Sequence, residues 1–337
     1  MRVFSGMRIC RSGFRWHAVS VALLLALVGC GTDGAAELTS PVGAAVVRAE
    51  IWLTPAPQDT PVLTKYEIPF QIASDAGRVV ARTSQGYLVT ENSGRAWRRL
   101  APAVSPRAGA YGDMPAFDVG GTLTVSAVID DPAGCERVTF RRSGQRPHLA
   151  RAPDCVAQLA VGDDRRTLLV TTDFGSEGYQ PPKPLYISRD DGRTWKRLSL
   201  MPNGLSMPNA LAADGDIVVS LWATTRPLVI SRDSGATWVR LAVPDDDCLS
   251  ADVRGREIWI ACDRRVYHTL DAGHSWRGWD LPNVDLKGSP ETAGLIVDSI
   301  VAIGPNRAML ATVGTSVLVT SDGGSHWRQR WPVLATR

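Results

Sequence analysis

One eight-residue signature recurs along the chain and constrains the fold more than any other feature. The pattern is a hydroxyl residue, any residue, Asp, any residue, Gly, two further residues and Trp. Four copies keep Asp, Gly and Trp, and a fifth has Asn in place of Asp; they span residues 188–195, 231–238, 269–276, 320–327 and, with Asn92, 90–97. A motif of this length that recurs so often indicates a repeated structural unit.

Each position of the signature has a physical role in a tight hairpin. The Asp carboxylate can accept hydrogen bonds from backbone N–H groups of its own turn, and Asn can do the same. Gly tolerates a positive φ, the hydroxyl can bind the start of the turn, and the indole anchors the chain as it re-enters a strand. We therefore predict structural roles for Asp190, Gly192, Trp195, Asp233, Gly235, Trp238, Asp271, Gly273, Trp276, Asp322, Gly324 and Trp327.

The spacing of the copies predicts a repeat architecture without helices. Residues 140–147, FRRSGQRP, keep a Ser-Gly turn and are interpreted as a decayed sixth copy. The copies then start at residues 90, 140, 188, 231, 269 and 320, a period that is typical of propellers and solenoids. Residues 257–276 alternate as strands throughout, and the strand after each of the five clearer signatures ends at a proline: Pro102, Pro202, Pro244, Pro282 and Pro332. Each period is predicted to be a four-stranded unit with the signature between its last two strands.

The signature resembles the Asp-box, or bacterial neuraminidase repeat, of the sialidase superfamily. Residues 80–97 and 310–327 are similar in style to the non-enzymatic propellers typified by the photosystem II assembly factor. The resemblance implies an all-β fold with a single six-bladed β-propeller, or seven blades if another precedes Tyr66. The blades are expected at about residues 66–102, 103–153, 154–202, 203–244, 245–282 and 283–333.

The N-terminus has the pattern of an export signal. Four arginines precede an apolar run at residues 18–28, and Leu27-Val28-Gly29-Cys30 looks like a bacterial lipobox. We expect a signal peptide at 1–29, acylation of Cys30 and attachment to the extracytoplasmic side of a bacterial membrane; an uncleaved anchor is the alternative. Residues 30–58 would form a tether with a strand at 46–53 that could join the last blade and close the ring, and residues 59–337 the propeller.

Charge and cysteine content narrow the partners. Loss of four arginines and no acidic residue with the signal changes the formal net charge from +3 to −1, so nothing favours nucleic acid as a partner. Four cysteines remain after Cys10 and Cys30, and chain proximity favours disulfides of Cys135 with Cys155 and of Cys248 with Cys262. A metal site is the alternative, but no CxxC spacing supports it. No metal or cofactor is expected, and the protein is expected to be monomeric.

Catalysis by a sialidase mechanism is disfavoured. Such an enzyme needs an arginine clamp and a late tyrosine nucleophile, whereas residues 66–70 contain no arginine and no tyrosine follows Tyr267. Another glycoside hydrolase would need only a carboxylate pair. The loop carboxylates that could form one are Asp130, Asp131, Asp173, Glu177, Asp245, Asp246 and Asp247.

Two loops are the best candidates for binding. Residues 171–184 form the longest insertion within a blade and contain Asp173, Glu177 and Tyr179, and residues 220–228 place Trp222 and Arg226 at the equivalent point of the next blade. Tyr179, Trp222 and Arg226 could anchor a partner; alternatively, the first loop is an ordinary solvated loop and Trp222 packs under its own loop. The sequence thus favours a membrane-tethered, non-catalytic module that binds protein or glycan in the cell envelope, with a glycoside hydrolase as the alternative.

Overall fold

The computed structural model is all-β in the residues that it describes. It covers residues 46–53, 71–75, 78–83, 86–99, 124–129, 136–141, 156–161, 168–172, 185–190, 192–198, 208–222, 227–242, 248–262, 264–282, 297–312, 317–331 and 333–334. Every regular element in these ranges is a strand. Among these residues there is also no helix with the length and apolar character that crossing a bilayer requires.

The described strands are numbered in chain order. The first nine are β1 (Val46–Arg48), β2 (Glu50–Trp52), β3 (Gln71–Asp75), β4 (Arg78–Thr83), β5 (Gly86–Thr90), β6 (Arg98–Arg99), β7 (Thr124–Ile129), β8 (Glu136–Arg141) and β9 (Val156–Val161). The next eight are β10 (Leu168–Thr172), β11 (Leu185–Ser188), β12 (Lys196–Arg197), β13 (Pro208–Asp214), β14 (Ile217–Trp222), β15 (Pro227–Ser231), β16 (Val239–Ala242) and β17 (Cys248–Arg254). The last seven are β18 (Glu257–Cys262), β19 (Arg265–Thr269), β20 (Arg277–Asp280), β21 (Val297–Gly304), β22 (Arg307–Thr312), β23 (Val317–Thr320) and β24 (His326–Arg330).

These strands form six sheets within the described ranges. In chain order, the first contains β3–β6, the second β7 and β8, the third β9–β12, the fourth β13–β16, the fifth β17–β20 and the sixth β21–β24. Strands that follow one another in the chain pair antiparallel within each sheet. In all but the second sheet, the signature lies between the third and fourth strands, as the repeat pattern predicts.

Neighbouring sheets pack through their first strands, which makes these strands the inner ones. β13 contacts β9 and β17, β17 contacts β21, and β21 contacts β3. The Ile300 N–H donates to Ser250 Oγ at 3.0 Å between the fifth and sixth sheets. The Ile72 N–H donates to Ser299 Oγ at 3.1 Å between the first and sixth sheets. Because the last sheet packs on the first, the fold is a β-propeller; the number of blades in the whole ring stays a prediction.

The apolar core is divided among the spaces between sheets. One cluster joins the fifth and sixth sheets and includes Trp259 and Trp327, whose ring centroids lie 6.3 Å apart in an edge-to-face arrangement. Further clusters lie between the third and fourth, fourth and fifth, and sixth and first sheets. A single sheet therefore cannot bury its own faces, and its stability depends on both neighbours.

In the five sheets that contain a signature, the two ends hold different connections. The turn between the first and second strands and the signature turn lie at one end, which we call the box end. The connection between the second and third strands lies at the opposite end, which we call the loop end. In the fifth sheet, for example, the box end contains Gly255 and residues 270–276, and the loop end contains Cys262 and Arg265.

Both described chain ends lie on the outer strands of sheets. Residues 46–52 do form strands, but they divide between two sheets: β1 pairs parallel with β20 of the fifth sheet, and β2 pairs parallel with β24 of the sixth. Ala49 between them is buried, and its N–H donates to the Asp280 carbonyl at 2.8 Å. At the other terminus, the Trp97 N–H donates to the Val333 carbonyl at 2.8 Å. The C-terminal segment thereby connects the sixth sheet to the outer edge of the first.

Candidate functional site

The signature turns share one hydrogen-bonding scheme. In the fourth sheet, Ser231 Oγ accepts the Gly235 N–H at 2.7 Å and donates to Asp233 Oδ1 at 2.8 Å, and the same oxygen of Asp233 accepts the Thr237 N–H at 2.8 Å. Gly235 has a φ of 76°, and Ser234 before it has a φ of 61°. The sequence predicted the positive φ of the glycine but not that of the residue before it, which is Ser93 or Ala272 in two other turns.

The second carboxylate oxygen of each Asp is also engaged. Asp233 Oδ2 accepts the Thr237 hydroxyl at 2.5 Å, and Asp190 and Asp271 accept equivalent hydroxyls at 2.6 Å. In the sixth sheet, the equivalent partner of Asp322 Oδ2 is His326 Nδ1 at 2.5 Å. Both oxygens of each carboxylate are thus bound within its own turn, which suits a turn cap rather than a catalyst.

These hydrogen bonds also lower the carboxyl pKa values. The Thr237 hydroxyl and N–H lower the pKa of Asp233 to about 2, against the opposing effect of burial. For Asp322, burial raises the pKa, but bonds from His326 and Ser325 outweigh it and lower the pKa to about 2. The pKa values of Asp190 and Asp271 are lowered in the same way, because their turn hydrogen bonds outweigh burial. All four carboxyls are therefore ionised at neutral pH.

Arginines connect the box end of one sheet to the next. Arg189 donates to Asp216 Oδ1 at 3.1 Å, and Arg232 Nε donates to the Ala272 carbonyl at 2.6 Å. Arg307 Nη2 donates to Ser93 Oγ at 2.8 Å and connects the sixth sheet to the first. The first two arginines occupy the second position of their signatures, a role that the sequence pattern alone did not reveal. At the box end, side-chain hydrogen bonds therefore connect neighbouring sheets and have a structural role.

A buried carboxylate between the fifth and sixth sheets was also missed by the sequence analysis. Glu257 Oε1 is 2.9 Å from each of three donors: Trp259 Nε1, the Asn306 N–H and His268 Nε2. The His268 ring stacks on Trp259 with centroids 3.8 Å apart. Because the donors belong to two sheets, this cluster holds the two sheets in register.

The sequence predicts that all the candidate binding and catalytic residues lie at the loop end. Most of them fall outside the described residues. β10 ends at Thr172 and β11 begins at Leu185, whereas β14 ends at Trp222 and β15 begins at Pro227. These strand ends have equivalent positions in neighbouring sheets and lie at the loop end. The candidates outside the described residues are Asp130, Asp131, Asp173, Glu177, Tyr179, Arg226, Asp245, Asp246 and Asp247, as are Cys30, Cys135 and Cys155. Of Trp222, the structure describes the backbone, which pairs with Pro208.

The loop end of the fifth sheet is the best described part of this surface. Cys248 and Cys262 form the expected disulfide between the first two strands. Arg265 Nε donates to Asp280 Oδ1 at 2.6 Å and Arg265 Nη1 to the Tyr267 hydroxyl at 3.2 Å. Burial lowers the pKa of Arg265, but these two partners outweigh it and raise the pKa above its usual value. Within the described residues, no group of three or more His, Cys, Asp or Glu side chains could hold a metal ion.

Fold and turns together define an Asp-box β-propeller. The family model of the photosynthesis system II assembly factor YCF48 matches residues 213–331, which contain most of the fourth sheet and the fifth and sixth sheets. The match confirms the resemblance of these repeats to those of assembly-factor propellers. It covers roughly a third of the chain.

Solved structures with similar folds include both binding proteins and enzymes. YCF48 bound to a D1 peptide is 13% identical, with a TM-score of 0.48 over 84% of this chain and 86% of that chain. The GH74 xyloglucanase from Xanthomonas campestris is 15% identical, with a TM-score of 0.48 over 80% of this chain and 46% of that chain. No functionally curated protein matches the sequence. At these TM-scores the likenesses favour neither class of function.

Proposed function

We propose that the protein is a membrane-anchored, extracytoplasmic propeller that binds a protein or glycan partner in the cell envelope and catalyses no reaction. The observation that carries this proposal is the match of three neighbouring sheets to the family model of an assembly factor. The signature carboxylates support it, because each is bound by its own turn. The lipobox-like sequence ending at Cys30 supports the membrane anchor.

The surface we propose for the partner is the loop end of the third and fourth sheets. Residues 173–184 and 223–226 connect equivalent strands there, and their sequences include Tyr179 and Arg226; Trp222 ends β14. Aromatic and arginine side chains are the usual anchors of protein interfaces. The box end suits this role less well, because its polar groups are occupied by contacts within and between sheets.

Cross-linked capture from membranes tests the binding role. The full tagged chain should retain a saturable partner, and Tyr179→Ala with Arg226→Ala should lose it. The control pair Arg193→Ala and His274→Ala removes two exposed side chains of the box end and should retain it. Equal capture by both pairs would overturn the proposed surface.

Two further measurements separate the remaining parts of the proposal. If the protein hydrolyses a glycan and Asp173→Asn or Glu177→Gln abolishes this activity, the protein is a glycoside hydrolase and the non-catalytic role is wrong. Cys30→Ala should move the protein out of the membrane fraction or leave the precursor unprocessed. Unchanged fractionation would remove the lipid anchor from the proposal and leave the binding role intact.

A further inference from the structure

The fourth strands of the sheets carry mostly positive charge. Five fourth strands are described: β6, β12, β16, β20 and β24. They contain one acidic residue, Asp280, and eight basic residues: Arg98, Arg99, Lys196, Arg197, Arg240, Arg277, Arg328 and Arg330. The whole chain, by contrast, has 37 basic and 34 acidic residues. The imbalance therefore belongs to these strands, which we call the basic belt.

Protection of exposed strand edges does not account for the belt. Charged side chains on an edge strand prevent pairing with other molecules, and either sign would serve. In the fifth and sixth sheets, moreover, β1 and β2 already cover the fourth strand. Arg277 and Arg328 nevertheless stay exposed on these covered strands. A covered strand needs no charge for protection, so edge protection does not explain these two arginines.

The sixth sheet adds an exposed aromatic ring to the belt. Trp52 on β2 lies beside Arg328 on β24, with the guanidinium carbon 5.3 Å from the ring centroid. The indole is 47% exposed, although tryptophan usually buries most of its surface. Arg330 follows on the same strand, and neither arginine has a carboxylate partner among the described residues. Trp52 Nε1 donates to Glu50 Oε2 at 3.3 Å, and its ring centroid lies 5.1 Å from that of His326. The half-exposed indole beside two guanidinium groups suits a ligand with flat apolar faces and negative charge.

We propose that the basic belt binds a linear acidic polysaccharide, with Trp52 stacking on a sugar ring and Arg328 pairing with its carboxylate. A polysaccharide fits better than a membrane, because the fourth strands of a propeller face outward in different directions and a flat bilayer can touch only a few of them. A flexible polyanion can follow the belt from sheet to sheet. This surface is separate from the loop end and does not depend on the proposed function.

Binding to four immobilised probes tests the proposal, with the full chain carrying Cys30→Ala to remove the acyl anchor. The probes are polygalacturonate, uncharged dextran, poly-L-glutamate and vesicles of anionic phospholipid. We expect polygalacturonate to bind at least about tenfold more tightly than poly-L-glutamate, because stacking adds to charge. Raising salt from about 0.15 M to about 1 M shortens the screening length from about 8 Å to about 3 Å and should weaken binding severalfold.

Matched variants locate the site. Arg277→Gln with Arg328→Gln should weaken polygalacturonate binding by about threefold to tenfold, since each exposed ion pair contributes a factor of up to about five. Arg193→Gln with Arg256→Gln removes the same charge from the box end and should have little effect. Trp52→Ala should weaken binding to polygalacturonate but not to poly-L-glutamate, and Trp52→Phe should restore it.

Several results would overturn the proposal. Equal affinity for poly-L-glutamate would indicate an acidic protein partner, and preference for vesicles would indicate a lipid surface. Equal losses in the two arginine pairs would mean that only net charge matters. Equal partner capture by the loop-end and box-end variants would overturn the loop-end surface and leave the belt unaffected, so the two proposals can fail separately.

Discussion

The signature turns of the first and fourth sheets have similar backbone geometry but different hydrogen bonds. Gly94 and Gly235 have φ angles of 78° and 76°, and the serines before them have φ angles of 57° and 61°. In the first sheet, Asn92 Oδ1 accepts the Thr90 hydroxyl and the Ala96 N–H, as Asp233 does with its equivalents. Asn92, however, has no second carboxylate oxygen, and Ala96 has no hydroxyl to donate to one. The turn therefore adopts this backbone geometry without a carboxylate at the third position.

The comparison teaches which groups shape the turn and which add to its stability. The hydroxyl at the first position and a single side-chain acceptor at the third suffice for two successive residues with positive φ. The second carboxylate oxygen and its hydroxyl donor are both absent from the first sheet, as expected for groups that depend on each other. The remaining charge on Asp233 makes the fourth-sheet turn sensitive to pH, whereas an amide is not.

Substitution of the turn glycines should have the largest effect. A Cβ at Gly235 would lie 2.6 Å from Leu198 Cδ1, whereas one at Gly94 would lie 3.2 Å from Met309 Cε. Both substitutions strain the positive φ, so we expect Gly94→Ala to cost about 1–2 kcal/mol and Gly235→Ala about 1 kcal/mol more. Urea unfolding at neutral pH measures both. Equal losses would show that backbone strain alone decides the cost.

Removal of the capping side chain should have the next largest effect. Asp233→Ala deletes an acceptor of three hydrogen bonds, and Asn92→Ala deletes an acceptor of two. We expect losses of about 2 and about 1 kcal/mol in the free energy of unfolding. Asp233→Asn is the matched control and should resemble the first-sheet turn. A loss in Asp233→Asn as large as that in Asp233→Ala would contradict the proposed role of the second oxygen.

Acid should weaken the fourth-sheet turn and leave the first-sheet turn unchanged. The pKa of Asp233 is about 2 in the folded protein, below its ordinary value of 3.8. Its contribution to stability is therefore complete above about pH 4 and is lost as the pH falls towards 2; solvent exposure limits it to about 1 kcal/mol. Urea midpoints over this range should vary less in Asp233→Asn than in the unmodified protein. Identical pH profiles would contradict the assignment.

Rebuilding the missing hydrogen bond should have the smallest effect. Asn92→Asp together with Ala96→Thr restores both partners found in the fourth sheet. A double-mutant cycle should give a favourable coupling of about 0.5–1 kcal/mol, because neither change alone makes the bond. Zero coupling would show that the two turns differ in more than these two side chains.

Local structure could be predicted from the sequence because it is determined by residues that are close together in the chain. The turn residues, the hydroxyl caps and the order of strands within a sheet depend on neighbours a few residues apart. The pairing of Cys248 with Cys262 was also favoured by proximity in the chain and is present in the structure.

Contacts between sheets were not predictable in the same way. Arg232 reaches Ala272, and Glu257 accepts from Asn306, across 40 and 49 residues. The division of residues 46–52 between two sheets likewise depends on partners more than 200 residues away. Alternation along a strand shows that it has two different faces, but it does not identify the surface against which each face packs.

The position of residues 46–52 has a mechanical consequence. A pull on the chain ahead of Val46 would load β1, then Ala49 and then β2 before it reached β3 on the inner side of the ring. Three residue pairs on each of two sheets would have to separate in turn. Force applied at the N-terminus thus acts first on the outer strands of the propeller. The junction between the sixth and first sheets bears this force only after β1 and β2 have both detached.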